Sequence, residues 1–226
     1  MIQIENLSKS FGSNQVLNDI SLTLEKGKIY GIVGENGAGK TTLFKCIAGL
    51  ETHKGKIKSE FPILKDHLGF LQTNPFFFSK ITGREYLELL CHARHIKGID
   101  FDARNVFDLP LNQYAVTYST GMKKKLAIMG ILMLGNDFFI WDEPFNGVDI
   151  QSNIIITEII HRLKALGKTM IISSHIFSTL RETCDEIHLL KKGKLVRKVN
   201  QSEFDELEQE MKDFTIGNSL EKLGLI

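Results

Sequence analysis

Hydrophobic and polar positions divide the chain into an alternating N-terminal stretch and a longer stretch where apolar runs alternate with helical periodicity. Alternation over residues 2–7 and 20–24 predicts two antiparallel strands, each with one solvated face. The remaining apolar runs predict buried strands at 28–33, 67–72, 138–141 and 169–174, and a hairpin over 186–199. Helical periodicity predicts helices through Leu43, Ile47 and Leu50, and over 80–97, 119–134 and 150–166, with residues 100–117 irregular. Strands alternating with helices from residue 28 onward predict an α/β fold with a parallel sheet.

Length and charge narrow the class of protein. The chain has 226 residues, which suits one domain or one domain with a grafted lobe. Lys plus Arg is 28 and Asp plus Glu is 27, so bulk charge does not indicate a nucleic-acid binder. The three cysteines show no metal-ligand spacing, and the apolar stretch LAIMGILMLG is shorter than a membrane span. The N-terminus lacks the pattern of a signal peptide, and we expect a soluble cytoplasmic protein.

A glycine-rich segment follows the predicted strand 28–33. It reads GENGAGKT at 34–41 and fits the phosphate-binding pattern G-x-x-x-x-G-K-[ST]. Glycines let backbone N–H groups approach phosphate oxygens, Lys40 adds positive charge at the β- and γ-phosphates, and the Thr41 hydroxyl can ligate Mg²⁺. A chance match in a chain of this length is on the order of one per cent. We predict that nucleotide is bound by Gly34, Glu35, Asn36, Gly37, Ala38, Gly39, Lys40, Thr41 and Thr42.

Two carboxylates, Asp142 and Glu143, follow the apolar run FFIW. Ligands of open α/β sheets bind at the C-terminal ends of the strands, so Asp142 is predicted to hold Mg²⁺ and Glu143 to polarise an attacking water. Two acids at a strand end are more often solvated, but beside a phosphate loop the functional interpretation is favoured. His175 follows the strand 169–174, where a hydrogen bond to γ-phosphate or water competes with a structural or exposed role.

In this order the motifs resemble the nucleotide-binding domain of ATP-binding cassette (ABC) transporters, over nearly the whole chain to about residue 199. The resemblance rests on GENGAGKT (34–41), Gln72 at a strand end, YSTGM (118–122), FFIWDE (138–143), NGVD (146–149) and His175. It implies an α/β fold with a P-loop NTPase core, a mostly parallel sheet flanked by helices, an antiparallel β subdomain and a helical subdomain. The expected organisation is a single domain over 1–200, with core and β subdomain about 1–72 and 135–200, helical subdomain about 73–134, and an acidic C-terminal extension at 201–226.

YSTGM stands where the family has its signature motif. The resemblance implies that two cassettes pair head to tail, and that Ser119 and the Gly121 N–H meet the γ-phosphate held by the partner. Thr120 and Met122 replace the glycine and glutamine of the commonest signature, LSGGQ. Serine and the second glycine are retained, so phosphate contact is expected to persist.

Three further residues receive roles from the resemblance. Phe11 stands where an aromatic residue, often tyrosine, stacks on adenine, and it could instead belong to the core. Gln72 resembles a glutamine that touches Mg²⁺ or the attacking water and relays nucleotide state to a membrane partner, or it is a plain polar strand end. Asp149 would contact the opposite subunit, or it caps a helix.

Lys123, Lys124 and Lys125 follow the signature at the start of a helix, where cations are mildly unfavourable. Two interpretations stay open. The lysines contribute to the positive field around the partner's phosphate, or they form a solvated helix face.

The expected function is the ATP-hydrolysing subunit of an ABC transporter of the exporter-like subgroup, using ATP and Mg²⁺. Its expected partners are a second cassette and a permease on a separate chain, and no nucleic acid is expected to bind. The permease would hold the subunit at the cytoplasmic face of the membrane. Residues 69–90 look like the lobe that receives the permease, where Phe76, Phe77 and Phe78 form a contact patch or pack in the core. The alternative functions are a soluble cassette serving an assembly or repair machine, and a nucleotide sensor that barely hydrolyses ATP.

Overall fold

The computed structural model describes residues 1–223, and describes side chains for residues 1–213. The strands are β1 Ile2–Phe11, β2 Asn14–Leu24, β3 Ile29–Val33, β4 Lys54–Ser59, β5 Leu68–Leu71, β6 Phe138–Asp142, β7 Thr169–Ser173, β8 Glu186–Lys191 and β9 Lys194–Asn200. The helices are α1 Lys40–Ile47, α2 Gly83–Ala93, α3 Thr120–Met133, α4 Ile150–Ala165, α5 Phe177–Thr183 and α6 Phe204–Leu223.

These strands form two sheets of different kinds. One is antiparallel, in the order β2-β1-β4, and the other has the order β5-β6-β7-β3-β8-β9. Neighbours in the second sheet are parallel except for the hairpin of β8 and β9. The expected α/β fold, with a mostly parallel sheet and a separate antiparallel one, is confirmed.

Two elements have no counterpart among the sequence predictions. β4 reads KGKIKS and is mainly exposed, so its hydrophobic pattern is nearly empty; backbone pairing with β1 forms it instead. α5 has only seven residues, too few for a clear helical period, and it is held by the buried side chains of Phe177 and Leu180. Both elements depend on partners distant in sequence.

The central strands are buried on both faces, as their continuous apolar runs predict. Successive β6 side chains alternate between two clusters: Phe138 and Ile140 pack in the cluster that includes α1, and Phe139 and Trp141 pack in the cluster that includes α3. Asp142 continues this alternation and therefore faces the α1 side of the sheet. The alternation directs the carboxylate toward the glycine-rich loop.

α2 begins with a capping box between Thr82 and Glu85, and it packs on α3. It ends at Ala93, earlier than the predicted 97, because His95 takes a positive φ of 56° after the cap residue Arg94. The segment between α2 and α3 is irregular apart from a 3₁₀ turn at Ala115–Thr117, as predicted. The helix after the glycine-rich loop likewise stops at Ile47, and Leu50 is exposed.

The expected acidic extension at 201–226, whose excess of acids over lysines predicts a short surface helix, forms the helix α6. α6 docks through the buried residues Phe204 and Leu207. Arg181 and Arg197 form ion pairs with its carboxylates, which offsets the local excess of negative charge. Residues 224–226 lie outside the described part of the chain.

Candidate nucleotide site

The glycine-rich loop runs between β3 and α1 and borders a cleft of about 560 Å³. The cleft is lined by Val16, Glu35, Asn36, Gly37, Gly39, Lys40, Thr41, Thr42, Thr73, Asp142, Glu143, Asn146 and His175. Of the nine residues at 34–42 that are predicted to bind nucleotide, seven lie on this surface. Gly34 and Ala38 instead support the loop from behind, since they line the space against β8.

Two loop positions require glycine for stereochemical reasons. A Cβ on Gly34 would lie 2.2 Å from the carbonyl oxygen of Leu190, so any side chain would push the loop off β8. Gly39 has a φ of 111°, which side-chain-bearing residues rarely adopt, and it is the N-cap of α1. No side chain caps this helix. Its first N–H groups therefore face the cleft as an anion site.

Lys40 is buried and its ammonium is held inside the loop. The Nζ atom donates to the carbonyl oxygens of Gly34 at 2.6 Å and Glu35 at 3.2 Å. These bonds keep the charge at the edge of the cleft, where an anionic ligand would lie.

Asp142 accepts hydrogen bonds from three hydroxyl groups on separate elements. Its Oδ2 accepts from Thr41 Oγ1 at 2.6 Å and from Thr73 Oγ1 at 2.5 Å, and its Oδ1 accepts from Ser173 Oγ at 2.6 Å. Asp142 is 1% exposed, yet among the described residues it forms no ion pair with a Lys, Arg or His within 4 Å. A buried carboxylate surrounded by hydroxyls, without a cation, has the hard oxygen donors that Mg²⁺ prefers. The residues present therefore fit a magnesium ion.

Thr73, for which the sequence predicts no role, lines the cleft beside the predicted Gln72. Gln72 follows β5 as predicted, but it is exposed and does not line the cleft. Thr73, one position later, turns into the cleft and reaches Asp142. Side chains alternate in direction along extended backbone, so a shift of one residue exchanges the inward and outward positions. Proximity to the predicted glutamine was the only sequence signal for Thr73.

Glu143 is buried and adopts a left-handed backbone conformation, with φ of 54°. Its N–H donates to Ser173 Oγ at 3.0 Å, which ties it to the end of β7. Its Oε2 lies 2.7 Å from His175 Nδ1 and accepts from the His175 backbone N–H at 3.2 Å. The structure thus brings together the predicted base and the predicted histidine, one strand apart in the sheet.

The signature segment lies outside this cleft. Ser119 caps α3 as predicted, accepting a hydrogen bond from the Met122 N–H at 3.2 Å. Ser119 and Thr120 are exposed, Met122 is half-buried and Gly121 is buried. A Cβ on Gly121 would lie 2.5 Å from the carbonyl oxygen of Gly147, so only glycine lets α3 pack against residues 146–149.

The structure gives the three lysines after the signature different environments, so they do not form a single solvated helix face, and their contribution to the field around a partner's phosphate stays a prediction. Lys124 is 1% exposed and donates to the carbonyl oxygens of Glu143 at 2.5 Å and Asn146 at 3.0 Å. Burial lowers the pKa of Lys124 to about 8, although the nearby carboxylates of Glu143 and Asp142 oppose the shift. Lys125 pairs with Asp149 at 3.0 Å, and the half-buried Lys123 donates its backbone N–H to the carbonyl oxygen of Ser119 at 2.9 Å.

Asp149 and Phe11 lie outside the cleft. Asp149 caps α4 by accepting from the Ser152 N–H at 2.9 Å, and this bond, with Lys125, lowers the pKa of its carboxyl. Phe11 is half-exposed at the end of β1, and the Lys9 ammonium lies 4.6 Å from its ring centroid. Adenine stacking by Phe11 and a cross-subunit contact by Asp149 stay predictions.

Comparison with known proteins identifies the class to which this fold and site belong. The sequence model of the ABC transporter family matches residues 17–146, which is more than half of the chain. The chain belongs to the ABC transporter family.

Curated relatives agree on a narrower description. A bacitracin transport ATP-binding protein of Enterococcus faecalis is 33% identical, over 96% of this chain and 75% of its own length. A Bacillus subtilis ABC transporter ATP-binding protein, NatA, is 32% identical over 87% of this chain and 88% of its own. A lantibiotic transport ATP-binding protein of Streptococcus pyogenes is 29% identical over 87% and 89%. This chain is an ATP-binding, ATP-hydrolysing subunit for ATP-driven transport, and the soluble assembly or repair alternative is not favoured.

Solved structures confirm the fold. The ATP-binding subunit of an ABC transporter superposes with a TM-score of 0.78 at 26% identity, covering 90% of this chain and 91% of that one. A dimeric cassette in a post-hydrolysis state, bound to ADP and Pi, superposes with a TM-score of 0.80 at 19% identity, covering 89% and 99%. In the part of the chain that the structure describes, no helix combines the length and apolarity needed to cross a bilayer.

Proposed function

We propose that this subunit hydrolyses ATP at composite sites, each formed by the cleft of one cassette and the signature segment of a second. The observation that carries the proposal is the separation of the two halves: Ser119 and Thr120 are exposed at the start of α3, and neither lines the subunit's own cleft. A helix start that faces solvent, with a serine at its tip, suits an anion from another molecule.

Within each site, some residues bind the nucleotide and others carry out the hydrolysis. The loop N–H groups and Lys40 bind the phosphates, while Thr41, Thr73 and Asp142 would hold Mg²⁺, which when bound neutralises phosphate charge. Glu143 accepts a proton from water as the water oxygen bonds to the γ-phosphorus and the bond to the ADP oxygen breaks. His175 orients the Glu143 carboxylate through the contact between its Nδ1 and Oε2 of Glu143. Phe11 would stack on adenine and Asp149 would contact the partner.

Magnitudes indicate how the pair of cassettes behaves. Two charge-assisted hydrogen bonds per γ-phosphate, at about 1.5–3 kcal/mol each, amount to roughly 6–12 kcal/mol over two sites. Association costs on the order of 4–15 kcal/mol. Because the two quantities nearly cancel, pairing depends on bound ATP and loosens after hydrolysis.

The transmembrane partner would be a separate permease, which places the subunit at the cytoplasmic face of the membrane. Phe76 and Phe78 are 73% and 59% exposed and pack edge to face with centroids 5.5 Å apart, while Phe77 is buried against Tyr86. The contact patch therefore consists of Phe76 and Phe78, and Phe77 belongs to the core. Exposed aromatic pairs of this kind are typical of protein contacts.

We also propose that this transporter belongs to the exporter-like subgroup, whose signature its own segment YSTGM resembles. Two of the relatives are named for bacitracin transport and for lantibiotic transport. We infer that peptides or drug-sized amphipathic compounds are the first substrates to test. Cells that produce the subunit as Glu143→Gln in place of the native chain should become more sensitive to such compounds.

The deciding experiment follows nucleotide-dependent association of the purified Glu143→Gln variant. With ATP and Mg²⁺ we expect a stable dimer and no turnover, because the carboxamide cannot accept the proton but leaves the binding groups unchanged. The native chain should dimerise only transiently. Full ATPase activity of the folded variant would remove Glu143 from its role, and a monomer at saturating ATP would contradict the composite site.

A further inference from the structure

We propose that Lys124 is a positioning residue for Glu143, and that through it the first turns of the signature helix set the geometry of the carboxylate in the same subunit. The proposal rests on the proposed function in one respect, the role of Glu143 as the base.

The backbone of Glu143 needs external support. A non-glycine residue in the left-handed region is sterically unfavourable, so its surroundings must stabilise it. The N–H of Glu143 is held by Ser173 on β7. Its carbonyl oxygen accepts from the Asn146 N–H at 3.2 Å and from Lys124 Nζ at 2.5 Å. Lys124 is therefore the side chain that holds the carbonyl half of this peptide.

Lys124 also closes the turn formed by residues 143–146. Its ammonium also donates to the Asn146 carbonyl oxygen at 3.0 Å, so one charged group joins both ends of residues 143–146. The two acceptors are backbone atoms, which means that the contact specifies the path of the chain and not the identity of a neighbouring side chain. The Glu143 carboxylate leaves this turn toward His175.

Burying the ammonium of Lys124 at this position is energetically unfavourable. Lys124 is 1% exposed, and within the described residues it forms no ion pair with a carboxylate. A buried cation with only carbonyl partners is destabilising compared with an apolar side chain of similar size. The buried ammonium therefore lowers the stability of the fold. Its two hydrogen bonds to the turn at residues 143–146 compensate by fixing the backbone of Glu143.

Helix α3 also contacts the residues that directly follow this turn. Gly121 lies directly against the Gly147 carbonyl, and Lys125 pairs with Asp149. Lys124 sits one helical turn after Gly121, between the exposed Ser119 and the catalytic turn. A nucleotide held by the partner that accepts a hydrogen bond from Ser119 would therefore contact α3. Within the same subunit, α3 is hydrogen-bonded to the Glu143 backbone through Lys124.

The test compares purified native chain with Lys124→Met, which has similar length and no donor, and Lys124→Gln, which keeps a neutral N–H donor. The control is Lys97→Met, the same substitution at an exposed position. Since displacement of a catalytic group by about 1 Å costs on the order of 10²-fold, we expect kcat of Lys124→Met to fall at least tenfold, with KM for ATP within about twofold. Lys124→Gln should lie between this value and the native one, and Lys97→Met should match the native chain.

A second measurement separates positioning from general structural damage. In the Glu143→Gln background, adding Lys124→Met should leave ATP-dependent dimerisation unchanged, because the defect concerns the carboxylate geometry and not nucleotide binding. A folded Lys124→Met chain with native kcat would overturn the proposal, as would parallel losses of ATP affinity, dimerisation and melting temperature. If Lys124→Met does not fold, the same comparison with Lys124→Gln decides. A native chain that hydrolyses no ATP would instead overturn the proposed function itself.

Discussion

Nδ1 of His175 lies 2.7 Å from Oε2 of Glu143, so the imidazole orients the carboxylate proposed to activate water. The two residues follow neighbouring parallel strands, β6 and β7, whose C-terminal ends meet at the same edge of the sheet. The backbone N–H of His175 donates to the same oxygen, which makes the contact bidentate on the histidine side.

His175→Ala should therefore lower kcat by roughly 10²-fold, within the range observed when one oriented catalytic group is removed. ATP binding should change little, since His175 supports the carboxylate and the loop supplies the phosphate contacts. Steady-state ATPase kinetics and equilibrium nucleotide binding measure the two quantities. The exposed His92→Ala serves as control, and a kcat equal to that of the control would refute the orienting role.

Thr73→Val should weaken nucleotide binding only when Mg²⁺ is present. The substitution removes the hydroxyl that donates to Asp142 while keeping the shape of the side chain. A hydrogen bond to a charged group is worth about 1.5–3 kcal/mol, so we expect roughly a tenfold loss of Mg·ATP affinity or more. Titrations with and without EDTA make the comparison. Gln72→Ala should have the smaller effect, and the reverse order would return the role to Gln72.

Ser119→Arg should abolish ATP-dependent pairing while a single subunit still binds ATP, because the exposed serine is outside the subunit's own cleft. Loss of the helix cap costs about 1 kcal/mol, so melting temperatures are needed beside size-exclusion chromatography. Ser119→Asp gives an independent check: aspartate caps the helix well but repels a phosphate. Dimers of either variant in ATP would count against the composite site, and Gln113→Arg controls for added surface charge.

The stability of the native chain, relative to Lys124→Met, should rise with pH above 8. Burial holds the pKa of Lys124 at about 8 in the folded state, below its ordinary 10.5, so the folded chain binds fewer protons between these values. The penalty for the charge, about 3 kcal/mol, is fully present below pH 8 and decreases toward pH 10.5. Unfolding free energies from urea titrations at pH 7, 8, 9 and 10 check the difference. A constant difference would mean that Lys124 keeps an ordinary pKa.

Much of this protein could be inferred before any tertiary contact was visible. The glycine-rich loop, the acidic end of β6 and the serine that caps α3 each depend on a short run of residues, because glycine conformations, apolar strands and helix caps are local properties. The order of these motifs along the chain indicated the family, and the alternation of strands and helices indicated the parallel sheet.

Tertiary structure alone decided which neighbouring side chain enters the site. Thr73 and not Gln72 reaches Asp142, and Lys124 extends from α3 to the backbone of residues 143–146, because strand register and helix packing are set by distant partners such as β6 and residues 143–149. β4 and α5 exist for the same reason, since their own sequences carry little hydrophobic pattern. Local sequence specified the chemical groups, whereas long-range packing determined where they point.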